Sequence, residues 1–260
     1  MSFARSVSAA ILLIAAFAAS ADAAPPIFKQ ERVPGGVLEQ YWAPGFGVGR
    51  IFTPLTLSPG DPASPNPSGD NTVAVLTNNE TGLGGIAASL TDTGGQFDYS
   101  FEADFFTGGG ETRRGIIVRA DPSNDFQTFY QFVINAGLFQ IRFRKFVNGA
   151  PVVPDLASWF TTVLPGSTGA LAQNSWHHME VRAFGNRFHC LLDGFDLTSL
   201  LSGGEIVDND SPLLVGWVGA YNFSASIGEV PVYFDNLRVG PPLPTPVASK
   251  TWGALKKLYR

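Results

Sequence analysis

Apolar and polar residues alternate along much of this chain with a period of two, the period of a strand whose two faces meet different surroundings. The run Phe-Asp-Tyr-Ser-Phe-Glu-Ala-Asp-Phe-Phe over residues 97–106 puts Phe97, Tyr99, Phe101, Ala103 and Phe105 on one side. Asp98, Ser100, Glu102 and Asp104 fall on the other. The pattern predicts a half-buried strand with Glu102 and Asp104 on a solvated face, ended by Gly108-Gly109-Gly110. Further strands are predicted near residues 37–42, 72–77, 116–120, 176–184, 188–193, 213–221 and 232–239. Residues 126–134 and 138–146 flank Asn135-Ala136-Gly137, a three-residue hairpin turn in which Gly137 supplies the left-handed conformation. In its second arm Phe139, Ile141 and Phe143 are expected to face inward, and Gln140, Arg142 and Arg144 outward.

The densest stretch is 175–194, Ser-Trp-His-His-Met-Glu-Val-Arg-Ala-Phe-Gly-Asn-Arg-Phe-His-Cys-Leu-Leu-Asp-Gly, which holds all 3 histidines and the 1 cysteine. Gly185-Asn186 between two alternating runs predicts a two-residue type II′ hairpin. That turn sets Phe184 opposite Arg187, Arg182 opposite His189, Glu180 opposite Leu191 and His178 opposite Asp193. Met179, Val181, Ala183, Phe188, Cys190 and Leu192 then share the core face, and a slip of one residue would bury the polar set instead. His177 points away from His178 and His189. The latter two stand four residues apart along the sheet, about 13 Å at the strand rise. Zinc needs its nitrogens about 2 Å from one centre, so these rings cannot share an ion. Cys190 is expected to act as a small buried hydrophobe, and His178 and Asp193 as a surface pair.

Composition fits this reading. With 29 Gly, 19 Pro and 21 Phe, the chain favours frequent turns and short aromatic strands. No helical period of useful length precedes the last ten residues. The expected fold is an all-β, antiparallel two-sheet jelly-roll sandwich. A net charge of −5 with no basic cluster in the body argues against nucleic-acid binding. Residues 58–70, rich in Pro, Gly and Ser, are expected to form a polar surface loop.

Both ends read differently from the body. Residues 1–24 carry Arg5, an apolar run over 9–19, and small residues at Ala21 and Ala23, the layout of a secretory signal peptide cleaved after Ala23 or Ala24. The expected product is secreted, extracellular or at the cell surface, and bacterial. Residues 25–240 form the expected domain. Residues 241–260 begin with a Pro-rich, semi-rigid spacer. They end in a short segment with Trp252, Leu255, Leu258 and Tyr259 at helical spacing among Lys250, Lys256, Lys257 and Arg260. That segment suggests docking to a cell-surface or sorting partner, or weak binding to an anionic surface.

Several of these pieces together resemble a known superfamily. Gly-Ile-x-x-Arg at 115–119 precedes a tyrosine-bearing strand, and Trp-His at 176–177 opens a hairpin that closes in Asp-Gly at 193–194. Gly-x-x-Gly at 216–219 and Phe-Asp-Asn at 234–236 complete the set. Over roughly residues 37–240 the chain resembles the concanavalin A-like lectin/glucanase superfamily, and within it the laminin-G-like and keto-disaccharide-hydrolase-like (family 16-type) jelly rolls of secreted bacterial proteins.

The resemblance implies two antiparallel sheets with a curved, often sugar-binding face. The glucanase branch carries Glu-x-Asp-x-(x)-Glu on one strand. Here Glu102-Ala103-Asp104 is followed by Phe105-Phe106-Thr107 with no third acid, so no catalytic residue is assigned. The laminin-G-like branch often holds calcium, for which Asp121, Asp125, Asp193, Asp208, Asp210 and Asp235 are candidates, with Asp208, Asp210 and Asp235 foremost. Sugar binding needs aromatic platforms beside planar hydrogen-bonding groups, and Arg119, Tyr130, Arg142, Arg144, Trp217 and Tyr221 are the candidate ligand-binding residues. The expected function is non-catalytic binding of a glycan or other extracellular polymer. A family 16-type hydrolase or lyase is one alternative, and a structural or adhesion subunit of a surface assembly is another.

Overall fold

The computed structural model describes residues 28–29, 42–44, 50–78, 85–88, 98–106, 112–124, 126–135, 139–169, 171–224 and 231–240. The expected signal peptide, the C-terminal segment and the 135–137 turn beyond Asn135 lie outside these residues, as does the strand expected at 37–42 except for Trp42.

In chain order the strands are β1 (Phe28–Lys29), β2 (Trp42–Pro44), β3 (Arg50–Thr56), β4 (Thr72–Asn78), β5 (Gly85–Ala88) and β6 (Tyr99–Phe106). They continue with β7 (Thr112–Ala120), β8 (Phe129–Asn135), β9 (Gln140–Val147), β10 (Ala150–Pro151), β11 (Ala157–Phe160) and β12 (Trp176–Phe184). The last are β13 (Arg187–Leu192), β14 (Phe195–Asp196), β15 (Ile206–Val207), β16 (Trp217–Ser224) and β17 (Val232–Gly240). Helix among the described residues is limited to short 3-10 turns such as Thr161–Val163 and Leu197–Leu200.

The strands form two antiparallel sheets. One has nine strands, in the order β14-β13-β12-β6-β17-β4-β3, with β1 on β17 and β15 on β13. The other has eight, in the order β10-β9-β8-β7-β16-β5-β2, with β11 on β9. The chain is an all-β two-sheet sandwich, as the alternation predicts.

The β12–β13 hairpin has the expected register, with Phe184 opposite Arg187, Arg182 opposite His189 and Glu180 opposite Leu191. Gly185 takes φ +52°, the left-handed first position of a type II′ turn. Met179, Val181, Ala183, Phe188, Cys190 and Leu192 are all fully buried. They join Tyr99, Phe101, Ala103 and Phe105 of β6 in the core between the sheets. Each large apolar side chain so buried contributes about 1.5–3 kcal/mol relative to exposure.

Three expectations are corrected. The strand expected at 213–221 begins only at Trp217 and runs to Ser224. Its first residues are diverted by side-chain bonds: the Leu213 N–H donates to Tyr130 Oη at 2.9 Å, and the Leu213 carbonyl accepts from Arg119 Nη1 at 2.6 Å. At Gly216 a Cβ would lie 2.4 Å from the backbone carbon of Arg119, so only glycine allows this approach. Phe139 is not inward but 47% exposed, because its φ of +52° breaks the alternation just before β9. The 58–70 loop is turn-rich, as expected, yet Ala63 and Asn66 within it are buried. The Ala63 carbonyl accepts from Trp176 Nε1 at 2.8 Å, which pulls the loop onto the outer side of the nine-stranded sheet.

Burial pushes the Cys190 thiol well above its ordinary pKa, as an apolar site should. Cys190→Asp would place a carboxylate there with nothing to pair it. It is expected to cost at least about 3 kcal/mol, read as a fall in the chemical-denaturation midpoint. An unchanged midpoint would show that the hairpin faces are misassigned.

Candidate functional site

The six sequence-predicted ligand residues divide between two sides of the eight-stranded sheet. On its outer face, cross-strand pairs set Arg144 beside Gln131, Arg142 beside Val133, Tyr221 beside Gly115 and Trp217 beside Ala120. Tyr221 belongs to a buried apolar cluster with Ile117, Phe126, Phe129, Val133 and Phe146, against which Trp217 packs. The Phe129 and Phe146 rings stack at 4.8 Å, and the Arg144 guanidinium lies 5.3 Å from the Phe146 centroid. Arg144 Nε also donates to Asp155 at 2.8 Å. Arg142 pairs with Gln140 and, at 3.6 Å, with Asp155. Tyr221 and Arg144 are buried on this face, while Arg142 is partly exposed.

Arg119 and Tyr130 lie on the inner side, and both are fully buried. Arg119 has φ +54°, a bulge that reverses the alternation of β7 and turns the guanidinium between the sheets. There it lies 4.9 Å from the Phe188 centroid and donates to the carbonyls of Gly185 and Leu213. Tyr130 Oη donates to Asp208 at 2.6 Å. Neither side chain reaches solvent, so neither can meet a ligand.

The calcium candidates are not assembled. Asp208 is buried, and its carboxylate takes the Lys145 ammonium at 2.8 Å as well as Tyr130. The same ammonium donates to the carbonyls of Asp210 at 2.5 Å and Ser211 at 2.7 Å. Burial alone would raise the Asp208 pKa, but the Lys145 and Tyr130 bonds hold it below its ordinary value. Asp235, on β17 of the other sheet, accepts from the Ser68 N–H at 2.8 Å. Asp121 accepts from the Ser123 N–H at 2.8 Å, and Asp125 lies outside the described residues. Among the described residues no three carboxylate, His or Cys side chains are grouped to hold a metal.

Glu102 and Asp104 do share one face of β6, but that face is not solvated as expected. Both side chains are only 12% exposed, and His178 of β12 bridges them, with Nδ1 2.7 Å from Asp104 and Nε2 3.6 Å from Glu102. Asn236 donates to Asp104 at 2.6 Å, and Arg238 pairs with Glu102. The bonds to Asp104 and then Glu102 raise the His178 pKa from 6.5 to about 10, against the effect of burial. Burial would raise Glu102, but His178 and Arg238 hold it below its ordinary value. A glycosidase acid needs the opposite shift, toward a carboxyl still protonated near neutrality.

The three imidazoles have three separate sets of partners. His189 meets Thr198 at 3.0 Å. The sequence sets His178 opposite Asp193, but its ring goes to Asp104, and Asp193 bonds the ring of His177 instead. Asp193 Oδ2 is 2.7 Å from His177 Nδ1, and Oδ1 accepts from the His178 N–H at 2.9 Å. His177 Nε2 is in turn 2.9 Å from Ser175 Oγ and 3.1 Å from the Ala172 carbonyl. An Asp–His–Ser order of atoms serves nucleophilic catalysis when the hydroxyl faces substrate. Here Ser175 Oγ donates to the Ala172 carbonyl at 2.9 Å, so the chain ties the 164–172 loop to the end of the hairpin.

That tie builds the cleft on which a ligand site can be based. It holds about 340 Å³ and lies between the loop residues Leu164 to Ala172 and the β13–β14 turn. Asp193 and Gly194 take φ +50° and +76° in this two-residue turn, the left-handed pair of a type I′ hairpin. Leu164, Leu171, Leu192 and Phe195 supply apolar wall, while Ser167, Thr168 and Asp193 supply polar groups. The Asp193 side chain is 44% exposed. A carboxylate accepts at about four sites, and its two protein bonds leave the rest to a ligand. Sequence reading named Asp193 but not Phe195 or the loop. The Asp-Gly turn was a visible signal, whereas nothing in the alternation marks which loop packs against it.

No family model matches the sequence, and no curated protein is similar to it. Among solved structures, the fold is similar to the carbohydrate-binding module CBM66 from Bacillus subtilis, with a TM-score of 0.51 and 18% identity over 76% of this chain and 94% of that one. It is also similar to a Bacillus subtilis protein of unknown function with a galectin-like fold, with a TM-score of 0.53 and 11% identity over 85% of this chain and 96% of that one. At these identities the likeness is one of fold, a two-sheet β-sandwich.

The His178 bridge gives a signed pH dependence. Its contribution to stability is fully present below the unfolded-state pKa of 6.5 and is lost as pH rises toward about 10. His178→Ala should lower stability by about 1–2 kcal/mol at pH 6, because it leaves Glu102 and Asp104 facing each other with less cation. The gap between the denaturation midpoints of the wild type and this variant should then shrink from pH 6.5 to pH 10.

Proposed function

We propose that this chain is a secreted, non-catalytic, lectin-like module that binds carbohydrate in the cleft between the 164–172 loop and the Asp193-Gly194 turn. The observation that carries the reading is the cleft itself. It sets one partly exposed aromatic ring, Phe195, and aliphatic walls against an incompletely used carboxylate and two hydroxyl-bearing residues. Sugars offer apolar C–H faces and hydroxyl edges, and this lining matches both. A volume of about 340 Å³ is within the ordinary range for a small-molecule site. The likeness in fold to a module named for carbohydrate binding and to a galectin-like protein supports the reading. The motifs point to the concanavalin A-like superfamily as the wider kinship.

The hydrolase alternative has less behind it. The acid pair of the glucanase branch would fall on Glu102 and Asp104, and Glu102 is shifted away from general-acid use. Export rests on the signal-like residues 1–24, and surface docking on the aromatic and basic tail at 250–260.

Two measurements test this. On a glycan array followed by calorimetry, the wild type should bind at least one glycan class without cleaving it. Phe195→Ala should weaken that binding about tenfold while the far-ultraviolet spectrum is kept. Binding with equal affinity in Phe195→Ala would remove the cleft from consideration. In cells, deleting residues 250–260 should shift the protein from the surface to the medium, and unchanged surface retention would count against docking by the tail.

A further inference from the structure

We propose that the carbohydrate site does not end at the cleft: it continues over the exposed rings of Phe160 and Phe139 and takes a chain of neutral sugars. This rests on the carbohydrate-binding reading above. Phe160 is 59% exposed, Phe139 47% and Val163 38%. The backbone connects the three. The Thr161 N–H donates to the Phe139 carbonyl at 2.9 Å, which brings the two Phe-bearing segments together. The 3-10 turn Thr161–Val163 then leads from Phe160 directly into Leu164, the first residue of the cleft wall. Only the three residues of that turn separate Phe160 from the cleft wall along the chain.

Large apolar side chains left bare together ask for a reason. Here the chain that carries them runs straight into the wall of a cleft that has polar groups. An aromatic ring held open at a strand end is a stacking platform for a sugar face, and two such rings on segments joined to a cleft wall suit a polymer better than a single residue.

The polar groups beside the platform offer hydrogen bonds, and the cleft selects charge. Phe160 is cross-strand neighbour to Gln140, and Ser158 to Arg142. Arg142 Nε donates to the Gln140 side-chain carbonyl at 3.0 Å, which leaves the Gln140 amide N–H groups for a ligand hydroxyl. Asp155 is shared between Arg142, at 3.6 Å, and Arg144, at 2.8 Å, so the platform is not acidic, and selection against charge falls to the cleft. The cleft contributes the Asp193 carboxylate, which burial would raise but the His177 and His178 bonds hold below its ordinary pKa. A uronate in the cleft would meet that negative charge with no lysine or arginine in the lining to offset it, whereas neutral hydroxyls can donate to it.

The test is calorimetric titration of the full chain with neutral gluco-, xylo- and fructo-oligosaccharide series, from monosaccharide to hexasaccharide, beside an oligogalacturonide series. The expected result is affinity that rises about tenfold or more with length in a neutral series and no matching uronate binding. Phe160→Ala and Phe139→Ala, both at exposed positions, should abolish the gain with length while leaving the shortest binding ligand unaffected. A length gain that survives in both variants, an affinity independent of length, or equal binding of the uronate series overturns the extended site while leaving the cleft in place. If neither neutral nor uronate sugars bind, the carbohydrate reading falls, and this inference with it.

Discussion

A buried guanidinium ties the two sheets of this protein together. Arg119 belongs to β7 of the eight-stranded sheet, yet it donates to the carbonyl of Gly185, the turn of the β12–β13 hairpin in the other sheet. It also holds the carbonyl of Leu213 and lies over the ring of Phe188. A cation between two sheets is costly unless it finds acceptors and its face is covered, and these contacts give Nη1 two carbonyls and the guanidinium one ring face. Anchoring the turn at that point pins the hairpin in register, which sends Met179, Val181, Cys190 and Leu192 inward. The same hairpin ends in Asp193, so the cleft wall is set by a chain of constraints that begins at Arg119.

What could be read from the sequence follows from what alternation encodes. Along 176–193 each residue's face depends only on its neighbours and a two-residue turn, so register, core face and the fate of Cys190 were all legible. The period fails wherever one residue takes a positive φ. Arg119 at +54° and Phe139 at +52° each reverse the expected side, one inward and one outward. Nothing but a side-chain environment distant in sequence stabilises such a conformation in arginine or phenylalanine, and a single sequence does not display it. Glu102 and Asp104 fail for a second reason. Their alternation was right, but the outer face is not simply water, because His178 and Arg238 arrive from two other strands to cover it.

The candidate site was legible only in part, and for the same physical reason. Arg142 and Arg144 were placed on one outward face by period-two reasoning, and the structure sets Trp217 and Tyr221 on that side of the same sheet. They are spent on their neighbours: Arg144 over the Phe146 ring and on Asp155, Arg142 on Gln140 and Asp155, and Trp217 against Phe126. A strand face can be identified from periodicity, but whether it is satisfied internally depends on long-range partners such as Asp155. The cleft lies where periodicity stops, between a loop and a tight turn, and its assembly needs the Asp193–His177–Ser175 tie to bring them together. Of that tie, sequence offered the residue types and the turn but not the juxtaposition.

Lys145 shows how the same fold meets a demand that a metal could otherwise meet. The 208–211 loop converges a carboxylate and two carbonyls on one point. A calcium ion there would need roughly six to eight oxygens. An ammonium has three donors, and Lys145 spends them on those three oxygens. Entry of a cation would have to displace Lys145 into surroundings where it is only 5% exposed, stranding a second charge. Tyr130, whose hydroxyl pKa burial and then Asp208 push well up, stays protonated and closes the arrangement by donating to Asp208 while accepting from Leu213. Leu213 is the residue whose carbonyl Arg119 holds, so the internal cation and the sheet-bridging guanidinium act on one loop. The loop is therefore rigid without a metal, and the hairpin turn that faces it keeps the position from which the cleft is built.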